Sequence, residues 1–240
     1  FLLILIPLGA QLTLQTPLYL GLLLDLIGLA AVILLANPSA IEKTTLKKSI
    51  LRVMSELRGS GFYPIIIFTS AITGFSIAQM SYIYPYLETL GFPIAFLGVI
   101  AGLRSLGQFL VGSKIAKFES KINIRRVFLF DLILFSSSFA LIAYLNNVYI
   151  IAAILVLVGS YEVGRSAFIN GYLGTHYAKD KNYMATTLSL KGQTSMFFNS
   201  AVAYGVGFIM SRSFEAGFYI MSGALFVILL ATYPFIEREK

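Results

Sequence analysis

The sequence predicts an all-α polytopic membrane protein, and three observations carry the prediction. Hydrophobic residues make up 58% of the 240-residue chain and charged residues only 12%, with a mean hydropathy of +0.83. A soluble domain carries about twice that charge. Apolar stretches near the ~20 residues needed to cross a bilayer recur along the chain. Almost every cation lies between those stretches rather than within them.

On that ruler full crossings fall near 16–36, 62–87, 93–113, 126–145, 149–175, 184–211 and 214–236, preceded by a partial one over 1–11. Residues 1–10 are apolar without a basic flank, so they read as a cut helix rather than a signal peptide. Gln11 to Pro17 is too polar to continue a helix and marks a turn. Glu88 to Pro93, Asn146-Asn147 and Ser211 to Glu215 mark later ones. Between the second and third apolar segments, Leu46, Ile50, Val53, Met54 and Leu57 recur at helical spacing, with Thr44 or Thr45 to cap and Gly59 to terminate. This predicts an amphipathic surface helix, either a tether or a gating element, within a linker over 37–60.

If successive helices alternate in direction, fourteen of the 18 cations fall on one side, including Lys43, Lys47, Lys48, Arg52 and Arg58 in the linker. Arg212 stands alone on the other side. By the positive-inside rule the linker and the C-terminus are expected in the cytoplasm. The net charge of +7 therefore orients the chain; no basic stripe with interleaved aromatics points to nucleic acid. With no cysteine, disulfides, thiolate metal sites and cysteine nucleophiles are excluded. Paired acids, a His-containing triad, a metal-ligand cluster and a phosphate-cradling glycine loop are also absent, so no enzyme, cofactor or metal is expected. The single histidine, His176, sits at a helix end and reads as solvated.

Some charges do lie inside crossings, and three of them lie deep. Arg104, Glu162 and Arg165 each sit near the middle of one, where a lone charge costs roughly 2.5–3.5 kcal/mol even on gentle insertion scales. Arg104 and Glu162 come at depths within about 3–5 Å of each other on helices running the same way, so they are placed to meet. Arg165 follows Glu162 by three residues and is expected on the same face as a further partner. Desolvation opposes ionisation of the Glu162 carboxylate and a neighbouring Arg favours it, which suits a proton carrier. Arg holds its proton and serves better to grip a carboxylate, whether that of Glu162 or of a solute. A buried network that merely fixes packing is the alternative.

Further pathway candidates are Gln79 in mid-helix, Tyr82 with Tyr84 and Tyr86 near Pro85, and Gln108 on the helix of Arg104. The stripe Lys191, Ser195, Asn199 recurs at four-residue spacing. Lys191 lies near a helix end and can snorkel, so Asn199 ranks above it. The tyrosines equally suit an interfacial belt. Gly98-x-x-x-Gly102, Ala167-x-x-x-Gly171 and Gly205-x-Gly207 are expected to let helices approach closely.

Particular runs resemble a known family. Tyr84-Pro85-Tyr86-Leu87-Glu88-Thr89-Leu90-Gly91-Phe92-Pro93 leading into Leu97-Gly98 is similar to the seventh-to-eighth connection of bacterial drug-efflux-like members of the major facilitator superfamily. Ile169-Asn170-Gly171-Tyr172, followed by Ala185 to Leu190, resembles their tenth-to-eleventh connection, with Met184 where Arg is usual. The cytoplasmic Gly-x-x-x-Asp-x-x-Gly-Arg-Arg signature survives only as Gly112 and Arg125-Arg126, without the Asp.

The resemblance implies a partial major-facilitator bundle. Residues 1–36 would be a remnant of the N-terminal half (the end of helix five and all of six), 37–60 the linker and 61–240 the C-terminal six helices, with helices one to four missing as a partner. It places Arg104, Glu162 and Arg165 on cavity-lining helices, and Asp25 and Asp131 on helices with structural roles. It also implies alternating-access transport of a small solute across a bacterial cytoplasmic membrane, coupled to protons and tilted toward efflux. The signature's decay favours an alternative, a non-transporting receptor or scaffold.

Overall fold

The computed structural model describes residues 61–118, 123–177 and 181–236, with side chains at 114–118 and 181–186 left aside. The expected crossings at 1–11 and 16–36, the linker helix and Asp25 lie outside the described residues.

The described residues form six long helices: α1 Phe62–Thr89, α2 Leu97–Phe118, α3 Ile124–Tyr144, α4 Val148–His176, α5 Lys181–Met210 and α6 Phe214–Thr232. Short 3-10 turns at Ile94–Phe96 and Tyr233–Phe235 precede α2 and follow α6. Turn chemistry sets the boundaries. Gly91, at φ +81°, takes the left-handed conformation that reverses the chain after α1. The Asn123 side chain accepts from the Arg125 N–H, and the Asn147 side chain from the N–H groups of Tyr149 and Ile150. Ser213 likewise accepts from the Ala216 N–H and so caps α6. The caps at Asn147 and Ser213 fall at predicted breaks, and the helices begin and end within about five residues of their expected positions, the largest difference being at the C-terminal end of α2.

Five helical segments, 62–89, 94–113, 124–144, 148–176 and 214–235, are long and apolar enough to cross a membrane. With no strand among the described residues, this is the architecture of a helical membrane protein. At 30 residues α5 has the length but falls outside that apolar set. Its polar side chains include Lys191 and Ser195, which are buried against neighbouring helices.

The helices pack in pairs, and specific contacts give their sense. Ser70 bonds to the Lys191 carbonyl and Tyr82 to the Ala203 carbonyl, each 121 residues apart, so α1 and α5 run parallel. Phe92 touches Tyr149 at one level, and Arg104 reaches Glu162 at another, so α2 and α4 also run the same way. Arg125 stacks over Tyr233 while Ser222 bonds to the Ser136 carbonyl, making α3 and α6 antiparallel. The core is aromatic: Phe68 meets Phe128, Phe75 meets Phe139, and Tyr86 meets Phe214 and Phe218. Large apolar side chains such as Leu103, Phe109, Leu157 and Val227 point outward, as lipid-facing side chains do.

Of the expected glycines, Gly207 does meet a neighbour, since a Cβ there would stand 3.0 Å from Tyr82 Oη, but others do not. Gly102 and Gly205 face open space. At Gly74, by contrast, a Cβ would stand 2.6 Å from Phe198 Cβ and 2.8 Å from the Asn199 nitrogen. A small-x-x-x-small pattern marks a permissive surface; the crossing point itself depends on which face meets a neighbour.

Candidate functional site

Glu162 lies fourteen residues from either end of α4, about 21 Å from each, and Arg104 lies the same distance from the end of α2. Arg104 Nη2 donates to Glu162 Oε2 at 3.2 Å, and Nη1 contacts Met80 Sδ at 3.0 Å. The side chains are 20% and 13% exposed, which puts the pair at the edge of the packed interior rather than in water. Gly159 makes the approach feasible: a Cβ there would collide with the Arg104 guanidinium. Ser160 Oγ donates to the Arg104 carbonyl at 3.3 Å, and Gln108 Nε2 to the Gly159 carbonyl at 3.3 Å, fastening α2 to α4 beside the pair. Gln79, Ser76, Met80, Ser138, Gly159 and Glu162 line a small cavity beside it. Its free volume of about 10 Å³ for the centre of a water molecule admits roughly one water.

Arg165 does not join this pair. The expected contact with Glu162 is not formed; Arg165 Nε instead donates to Asp131 Oδ2 on α3, and Tyr161 Oη donates to Asp131 Oδ1 at 2.7 Å. Asp131 and Arg165 are fully buried, with Phe135 packed 5.8 Å from the guanidinium carbon. The reason is angular. Three residues along a helix is about 300°, so Arg165 sits some 60° around α4 from Glu162 and faces a different neighbour. The Asp131 carboxylate is therefore held by hydrogen bonds from two side chains of α4. Arg165 Nη1 and Nη2 have no partner among the described residues.

Lys191 does not snorkel. It is 7% exposed, and its Nζ donates to Asn170 Oδ1 at 2.7 Å and Ser166 Oγ at 3.4 Å on α4. Ser195 Oγ is spent on the Lys191 carbonyl, and Asn199, half-buried, makes no side-chain hydrogen bond among the described residues. Lys191 thus displaces Asn199 as the polar centre of α5. Tyr82 Oη pegs α1 to α5 through the Ala203 carbonyl at 2.8 Å. Tyr86 is buried in the aromatic core and not part of a surface belt, while Tyr84 is half-buried.

The geometry adds Ser76, Met80, Gly159, Tyr161, Ser166 and Asn170 to the residues singled out in the sequence. Their signal there is faint, because Ser, Met and Gly are ordinary in membrane helices. Charge balance carried more information: among the described residues two acids, Asp131 and Glu162, stand deep in helices with three cations, Arg104, Arg165 and Lys191. No group of three or more His, Cys, Asp or Glu able to hold a metal occurs among the described residues. No family model matches the chain, and no curated protein or solved structure matches it.

Proposed function

We propose that this six-helix bundle belongs to a major-facilitator-type secondary transporter and rocks against a second bundle to move a small solute, with Glu162 carrying the coupled proton. The observation that supports this most is the Arg104–Glu162 pair, held at mid-depth beside a water-sized cavity lined by both polar and aliphatic side chains. Intramembrane charges at such a depth usually mark a pathway. The packing of α3 against α6 also fits the resemblance, which implies that the ninth and twelfth helices, here α3 and α6, sit together behind the cavity. In this reading the cavity admits a water that delivers the proton. Protonated Glu162 loses its charge attraction to Arg104, and the seam between α2 and α4 loosens. Alternating access follows if the loosened and fastened seams favour opposite tilts of the bundle.

Glu162→Gln in the complete protein, reconstituted in proteoliposomes, is the test. Flux driven by a pH gradient should vanish while solute exchange at equal pH persists. Full gradient-driven flux in the variant refutes the coupling role. Tight solute binding without any flux in the wild type favours the receptor reading, which the decayed Gly112 to Arg126 signature supports.

A further inference from the structure

Three cations but only two carboxylates occupy the interior of the described bundle. Arg104 is matched by Glu162 and Arg165 by Asp131. Lys191 remains: among the described residues its partners are a neutral amide and a neutral hydroxyl, Asn170 and Ser166. An ammonium withdrawn from water without a counterion is among the least favourable arrangements in a protein interior. Around it the donors outnumber the acceptors. Among the described residues, Arg165 Nη1 and Nη2 are buried with four N–H bonds and no acceptor, and Thr187 Oγ1, one turn before Lys191 on α5, is buried and unpartnered. Arg165 immediately precedes Ser166, the α4 residue that accepts from the Lys191 ammonium. Ser166 and Asn170 stand one turn apart on α4, each with a proton to donate. Buried donors in a native interior nearly always have acceptors, so a cluster of orphans around an unmatched cation describes the ligand it lacks.

We infer that the seam between α4 and α5 binds a small organic solute through a single carboxylate, received by Lys191 and Arg165 with Thr187, Ser166 and Asn170 as flanking donors. One negative charge balances the interior, and a carboxylate's two oxygens offer about four acceptor sites, enough for both cations. The seam can yield, because α4 and α5 touch far less than α4 touches α2 or α5 touches α1. The inference deepens the transport reading and rests on it for the solute's fate after binding. It also explains why Arg165 is only half engaged by Asp131.

The test is equilibrium binding to the complete protein in nanodiscs, with acetate and benzoate as probes, acetamide and benzamide as uncharged controls, and inorganic phosphate as a second anion, all at constant ionic strength. Wild type should bind a carboxylate and exclude its amide by roughly tenfold or more. Lys191→Met should lose that preference, and Lys191→Arg should keep most of it. Equal binding of acid and amide, binding of neither carboxylate, preference for phosphate, or an unaltered preference in a folded Lys191→Met protein would each overturn the assignment. The wild-type comparison of acid with amide decides the matter even if Lys191→Met does not fold. Failure of pH-driven flux with carboxylate binding intact sinks the coupling reading alone; intact flux without carboxylate preference sinks this one alone.

Discussion

Gly159→Ala adds one methyl group at the place where α4 carries the Arg104 guanidinium. The new Cβ would stand 2.8 Å from Arg104 Cδ and 2.9 Å from Cζ, and closer still to Nε. Relieving those contacts to ~3.8 Å moves the guanidinium about 1 Å. The Arg104–Glu162 distance is 3.2 Å, so such a shift takes the charges to about 4.2 Å. At an effective dielectric of ~20 the Coulomb attraction falls from about 5 to about 4 kcal/mol, a loss of roughly 1 kcal/mol. Overpacking adds about 1–3 kcal/mol where the side chain cannot move freely. The predicted destabilisation is thus about 2–4 kcal/mol.

A double-mutant cycle isolates it. In an Arg104→Ala background the methyl group has open space, and its effect should shrink to about 0.5 kcal/mol or less. The assay is reversible denaturant unfolding in mixed micelles, with Gly159→Ala, Arg104→Ala and the double variant measured together. An equal effect of Gly159→Ala in both backgrounds refutes the contact as the cause.

Asp131→Asn leaves the Arg165 guanidinium buried without its counterion and should destabilise by about 3–5 kcal/mol, more than Glu162→Gln, whose partner is partly exposed. The same unfolding assay ranks the two, and the reverse order contradicts the assignment of Asp131 as the buried structural partner. Tyr82→Phe removes the peg to the Ala203 carbonyl and should cost about 0.5–1.5 kcal/mol. Hydrogen exchange at the C-terminal ends of α1 and α5 should quicken, and unchanged exchange there means the hydroxyl fastens nothing.

Helix identity and boundaries were legible because they rest on local chemistry: apolar length, Asn and Ser caps, and Gly91. The depth match between Arg104 and Glu162 was legible as well, since rise per residue converts sequence position into height without tertiary information. Azimuth was not. Arg165 shares an approximate face with Glu162 but turns toward α3, and only the placement of α3 decides that Asp131 receives it. Lys191 posed the same difficulty in another form. Its height near one end permits snorkelling, yet the hydroxyl and amide of Ser166 and Asn170 offer its ammonium polar partners inside the bundle. Glycine patterns found Gly207 but missed Gly74 and Gly159 for a related reason, because those two acquire their roles from neighbours far away in the chain.

Helix α4 carries Glu162 toward α2, Tyr161 and Arg165 toward α3, and Ser166 and Asn170 toward α5. It therefore behaves as a shaft keyed to three housings. Turning it by ~20° sweeps side chains at a radius of about 5–6 Å through about 2 Å, enough to part hydrogen bonds in all three directions. A torque applied at any one key reaches the other two without bending the shaft. Charge neutralised at Glu162 and an anion seated at Lys191 would then act on one rotational coordinate, so neither event leaves the other's free energy unchanged.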